Sequence, residues 1–217
     1  MLNKILKILF VISLILFIIT LNVKLFLFNF NVYQKEFTRQ NIYETIPDAD
    51  KNALNLINYM NNKEELNDFF NEKEKLHLQD VKSLFNKDNL IFYIALILNI
   101  LFLIYFIYIK DYKAIYSSFF ISGIILILFI ISFFIIDFNY LFTKFHLIAF
   151  NNDYWLLDPN TDNLINLFPV ELQYNVGVRM LINIIMSTLI LIILAIALRK
   201  FTLNKSFLNK KIYKNIR

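Results

Sequence analysis

The 217-residue chain holds two histidines, His77 and His146, and no cysteine. Imidazole titrates near pH 6.5, so each histidine can take up and return a proton at ambient pH. Each stands in a different polar stretch between apolar blocks. Glu74, His77 and Asp80 are spaced by three, which puts them on one face of a helix. A carboxylate one turn away orients an imidazole and raises its basicity. The same density of charge also fits a solvated helix face. Glu74-x-x-His77 matches half of a di-metal helix motif, but the sequence has no second such pair, so no metal is expected. Near His146 stand Lys144, Asn151, Asn152, Asp153 and Trp155. The sole tryptophan fits an interfacial aromatic belt, and its indole N–H fits a donor to a lipid carbonyl. With no cysteine, thiol nucleophiles, Cys-ligated metals and disulfides are excluded. No Gly-rich phosphate loop is present, which argues against a nucleotide-driven machine.

The elements that must position these residues are apolar blocks. Hydrophobic content is 58% and mean hydropathy is +0.55, with the apolar residues clustered rather than at amphipathic spacing. About 20 apolar residues cross about 30 Å of hydrocarbon. Four segments reach that length: 5–27, 90–109, 114–136 and 180–198. Backbone groups in lipid have no water partners, so these segments are expected to be helices. The first, although it opens on Lys4 and Lys7, is long and lacks a small-residue cleavage site, so it is expected to be a retained anchor. Between the spans lie two large loops, 28–89 and 137–179, and the basic tail 199–217 follows.

Charge sets the expected orientation. The N-terminus, the turn carrying Lys110 and Lys113, and the tail hold eleven basic residues in about 30 positions. The two large loops hold ten basic and sixteen acidic residues in over 100. The positive-inside rule therefore puts both termini in the cytoplasm and both loops outside. The net charge of +5 and pI of about 9.2 come mostly from the tail. Such lysines set topology and touch anionic phospholipid heads; no nucleic-acid partner is expected. The spans carry almost no ionisable residues, so no ion pathway is expected. Ser117, Ser118, Ser122 and Ser132 in span three are expected to bond backbone or pack helices.

Inside the first loop, the alternation Phe28-Asn29-Phe30-Asn31-Val32-Tyr33 predicts a short strand. Ile46-Pro47-Asp48-Ala49-Asp50 predicts a helix start capped by Asp48 or Asp50 and running through Met60. A second helix is expected from about Asn71 to Phe85, leading into span two. In the second loop, Phe145–Phe150 and Tyr154–Leu157 read as strands, and Asp158-Pro159-Asn160-Thr161-Asp162 as a turn. The predicted fold is therefore four transmembrane helices with a small mixed α/β cap.

The loop motifs resemble a known family. His77-Leu78-Gln79-Asp80-Val81-Lys82, preceded by Glu74, is similar to one signature of the lipoprotein intramolecular transacylase (Lit) family, which overlaps a larger group of integral membrane proteins of unknown function. Phe145-His146-Leu147-Ile148-Ala149-Phe150-Asn151-Asn152-Asp153-Tyr154-Trp155-Leu156-Leu157-Asp158-Pro159 resembles the second signature, and the similarity continues through Thr161–Pro169. Ala149 departs from the pattern where a second bulky or aromatic residue is expected. The resemblance implies a bacterial cell-membrane enzyme. It would move the sn-2 acyl chain of the diacylglyceryl group to the α-amino group of a lipoprotein's N-terminal cysteine, giving lyso-form lipoprotein. It also implies that His77 and His146 are catalytic, with diacylated lipoprotein as substrate and no cofactor. Asp80 and Glu74 are then candidate orienters, and Lys144, Asn151 and Trp155 candidate oxyanion donors. The alternative is a non-enzymatic membrane scaffold or sensor whose cap binds a lipid or protein partner through acidic patches such as Glu64-Glu65 and Asp68.

Overall fold

A computed structural model describes residues 2–215, with side chains through residue 204. The tail lysines from Lys205 and Arg217, which contribute to the orientation argument, lie outside the described side chains. The described residues form helices joined by turns: α1 Leu2–Leu27, α2 Phe30–Arg39, α3 Ile42–Thr45, α4 Ala49–Met60, α5 Glu72–Tyr108, α6 Tyr112–Ile135, α7 Phe138–Ala149, α8 Asn163–Leu167 and α9 Val170–Asn215. Four of them, α1, α5, α6 and α9, are long and apolar enough to cross a membrane.

The chain divides into two compact units. One takes in the chain from its first turn to Thr20, Ile91–Ser132 and the chain from Asn183 onward; the other takes in Leu21–Leu90 and Phe133–Ile182. Both large loops therefore belong to a single unit.

The first unit is a bundle of apolar helices. Phe10 on α1 is fully buried and packs against Phe102 and Phe106 of α5 and Phe119 of α6, at ring separations of 5.5, 5.9 and 6.0 Å. Lipid is as apolar as these side chains, so association relies on close packing and hydrogen bonds. Ser13 Oγ donates to Asn99 Oδ1 at 2.9 Å, and Asn99 Nδ2 donates to the Ser13 carbonyl at 3.1 Å. Of the four serines of span three, Ser122 bonds the Val11 carbonyl on α1, while Ser117 and Ser132 bond carbonyls of their own helix. Gly123 lets α6 approach α9. A Cβ placed there would lie 2.5 Å from Ile192 Cγ1 and 2.9 Å from its Cδ1. Gly123→Val is therefore expected to cost about 1–3 kcal/mol through overpacking. Thermal unfolding in detergent checks this, and Ile192→Ala should restore part of the loss in the double variant.

The second unit is built on a buried cluster from α2, α4, the start of α5, α8 and the start of α9. Phe37, Ala49, Ala53, Phe70, Leu78, Leu167 and Leu172 lie at its centre. Leu78, the neighbour of His77, fixes the face that α5 turns inward.

The mixed α/β cap is corrected. Among the described residues there is no strand. The Phe28–Tyr33 alternation opens helix α2, which buries Val32, Tyr33, Glu36 and Phe37 at helical spacing. Phe145–Phe150 ends helix α7, and Tyr154–Leu157 is irregular. Helix α4 begins as expected, but no side-chain cap bond forms at Asp48. Asp50 instead accepts from Tyr43 Oη at 2.7 Å and Gln34 Nε2 at 2.9 Å. The Asp158–Asp162 turn is present, closed by Asp162 N–H donating to the Asp158 carbonyl at 2.8 Å.

Candidate active site

Helix α5 starts with a reciprocal cap. Glu74 N–H donates to Asn71 Oδ1 at 2.9 Å, and Asn71 N–H donates to Glu74 Oε2 at 2.6 Å. This satisfies two orphan donors of the first turn. The other Glu74 oxygen accepts from the Leu164 amide at the start of α8. Burial pushes the Glu74 carboxyl above its ordinary pKa, and the amides of Leu164, Asn71 and Asn163 pull against that. Asn71 Nδ2 donates to Asp162 at 2.8 Å, Lys73 pairs with Asp162 at 3.2 Å, and Asn163 Nδ2 reaches the Phe69 carbonyl at 2.7 Å. The second loop is thus tied to the helix end that carries His77. Glu74, at the centre of those ties, gives both oxygens to backbone amides.

His77 stands one turn further along α5, well before the apolar stretch that begins at Leu90, so it lies in the charged first part of that helix. Its side chain is 7% exposed, and Nδ1 is fully buried with no hydrogen-bond partner. Burial, and then the nearby His146, push its pKa down to about 4; Asp80 pulls the other way. The Asp80 carboxylate accepts from Asn152 Nδ2 at 2.8 Å. Asp80 therefore acts on His77 through its field.

His146 arrives on α7, whose N-cap Asp137 accepts from the Tyr140 amide at 2.9 Å. It is 9% exposed and the single buried residue of that helix. Its Nδ1 lies 2.7 Å from the Phe142 carbonyl, one turn back. A carbonyl only accepts, so Nδ1 carries the proton and Nε2 the lone pair. Burial lowers the pKa of His146, and the Phe142 bond partly opposes that. Aromatic rings surround the imidazole: Phe142 at 4.1 Å, Trp155 at 4.9 Å, Phe145 at 5.3 Å and Phe150 at 5.6 Å. Phe150 also meets His77 edge-on at 5.2 Å.

The two imidazoles meet, with ring centroids 6.2 Å apart. Their 69-residue separation in sequence is closed by the start of α5 and by α7, which lie in the same unit. Trp155 joins the pair, whereas Lys144 and Asn151 are exposed, with Lys144 5.6 Å from the Tyr140 ring. Among the described residues no three His, Cys, Asp or Glu side chains converge as metal ligands. Phe142, which bonds His146, did not stand out by residue type; its signal is its position four residues before His146 on a helix, while Asn152, noted near His146, bonds Asp80.

The fold and site define an α-helical, multi-pass membrane protein with a buried, aromatic-walled histidine pair. Over residues 8–172 the chain matches the model of the lipoprotein intramolecular transacylase Lit family, and it belongs to that family. It is thereby an enzyme rather than a scaffold. The membrane integral lipoprotein intramolecular transacylase Lit from Bacillus cereus is similar in structure, with a TM-score of 0.73 and 21% identity over 95% of this chain and 98% of that one. A variant of the same protein with one histidine changed to arginine gives a TM-score of 0.77 at 21% identity, covering 94% of this chain and 95% of that chain. The corresponding alanine variant gives 0.76 at 21%, with coverages of 93% and 95%. At this identity the likeness shows a common fold. No curated protein sequence matches the chain.

Proposed function

We propose that the chain moves the sn-2 acyl chain of a diacylated bacterial lipoprotein to the α-amino group of its N-terminal cysteine, releasing lyso-form lipoprotein, and that His77 and His146 carry the proton transfers. The observation behind this reading is the meeting of two buried imidazoles 6.2 Å apart. The substrate ammonium gives a proton to an imidazole, and the freed amine attacks the ester carbonyl. A C–N bond forms and the ester C–O bond breaks; of the two protons the nitrogen loses, one passes to the leaving glycerol oxygen and the other to solvent. Nothing is oxidised, and no cofactor is required. Nucleophile and ester belong to one molecule, so proximity supplies much of the rate.

The lone pair on His146 Nε2 suits it to accept the first proton, because the Phe142 carbonyl holds Nδ1–H in place. His77 has its Nδ1 shut in, which leaves Nε2 to exchange with substrate. Asp80 is a positioning residue through its charge, and Glu74 is one through the start of α5. Among the three candidate oxyanion donors, contact with His146 favours the Trp155 indole N–H. The charge distribution supports both loops outside the cytoplasmic membrane, where lipoproteins are anchored, with phospholipid around the spans.

Expression in a bacterial host whose lipoproteins are diacylated tests the proposal. Mass spectrometry of one lipoprotein's N-terminal lipopeptide should show an N-acylated, lyso-form product. A lipopeptide left diacylated, with the protein present in the membrane, would overturn it.

A further inference from the structure

Helix α7 inverts the usual arrangement of an amphipathic helix. Its single buried residue is a histidine, while Ile148 is 84% exposed and Leu147, Tyr140 and Phe145 are each more than half exposed. At 100° per residue, Leu147, Tyr140, Ile148 and Phe145 fall on the half of the helix that faces away from His146. Lys144 lies among them, and the helix holds no carboxylate apart from its cap, Asp137. Four large apolar side chains around one cation would be an aggregation hazard in water.

The position of α7 in the chain identifies what covers this face. Helix α6 ends at Ile135 with Phe134 and Ile135 exposed, and α7 begins at Phe138. Three residue steps reach at most about 10 Å, so α7 starts within or beside the headgroup layer at the end of span three. The helix is 12 residues long, about 18 Å, and its exposed apolar residues extend to the last turn. A helix that stood up into water would expose Leu147 and Ile148 there. One that lies flat buries them in lipid.

We infer that α7 lies in the bilayer interface, with Tyr140, Phe145, Leu147 and Ile148 in the acyl boundary and Lys144 at the lipid phosphates. Lysine beside an apolar stripe is suited to this, because its stem is apolar and its head reaches the anionic layer. The consequence rests on the transacylase reading: His146 is held at the depth of a glycerol ester, so a lipid-anchored substrate reaches it by lateral diffusion without lifting its acyl chains into water.

The chain has no cysteine, so single labels can be placed cleanly. Ile148→Cys and, as an aqueous control, Lys63→Cys in the polar Asn61–Glu65 turn, are labelled with an environment-sensitive fluorophore. The full chain is then reconstituted in phosphatidylcholine–phosphatidylglycerol vesicles with or without bromine high on the acyl chains. The Ile148 label should lose about half its emission to brominated lipid and resist iodide, and the Lys63 label should do the reverse. Iodide quenching of the Ile148 label equal to that of the control overturns the inference. Shielding from both quenchers overturns it too, because protein rather than lipid then covers the face. Neither readout requires turnover, so a failure of the transacylase reading leaves this result standing, and the converse holds.

Discussion

Replacing His146 with alanine is expected to lower the rate of N-acyl product formation by about 10²–10⁴-fold, the range a positioned acid–base group contributes. His77→Ala should fall in the same range, and the double variant should lose little beyond the worse single one, because groups that act as a unit are non-additive. The assay is turnover of a synthetic diacylated lipopeptide in mixed micelles, read by mass spectrometry. Thermal unfolding of each variant separates lost chemistry from lost structure. Phe142, Trp155 and Phe150 line the space His146 vacates, so His146→Gln serves as a better-filled companion. Full rates in both alanine variants would rule out the pair.

The pH profile follows from the same geometry. Burial favours the neutral imidazoles, with His77 pushed down to about 4 and His146 moved in the same direction. The base stays unprotonated below its ordinary pKa of about 6.5. The acid limb of kcat/KM should therefore lie below pH 6.5. The stability term has the same sign. These histidines bind protons more readily when unfolded, so stability falls as pH drops from about 6.5 toward 4 and is unaffected above that window.

The four apolar helices and the separation of two polar loops were legible in the sequence, because hydrocarbon leaves the backbone few choices. The cap was less so. A six-residue alternation such as Phe28–Tyr33 fits a strand, but the pattern continues through Phe37 at helical spacing, and the buried Glu36 hides it among polar residues. Phe145–Phe150 misleads for another reason. An interfacial helix turns its apolar residues outward and its histidine inward, so period alone gives no core face. The histidines could be named from residue type, but their meeting could not, since it depends on ties among Asn71, Lys73, Glu74, Asp162 and Leu164 that span some 90 residues. Trp155, read as belt or donor, lies against His146. Glu74, chosen as an orienter for its spacing, caps the start of the helix that carries His77.

The polar network that composition concealed most completely is at Glu36. In a count of loop charges Arg179 is one base among ten, yet its guanidinium bonds the carboxylate of Glu36, which is 0% exposed. Asn175, one turn earlier on α9, donates to the other oxygen at 3.1 Å, and Gln40 does so at 3.2 Å. Removing one partner of a buried pair costs about 3–5 kcal/mol when the remaining charge has no counter-ion, whereas here Arg39 stays 3.9 Å from the Glu36 carboxylate. Arg179→Met is therefore expected to destabilise the protein toward the low end of that range, because the arginine side chain is itself 37% exposed and partly screened by solvent. Glu36→Gln should cost less, since the freed guanidinium can hydrate. The double variant Glu36→Gln/Arg179→Met should be more stable than the sum of the single losses implies, with a coupling of about 1–3 kcal/mol between residues in direct contact. Thermal unfolding of all four proteins in one detergent closes the cycle. A coupling of zero would mean that the ion pair between α2 and α9 contributes nothing to stability.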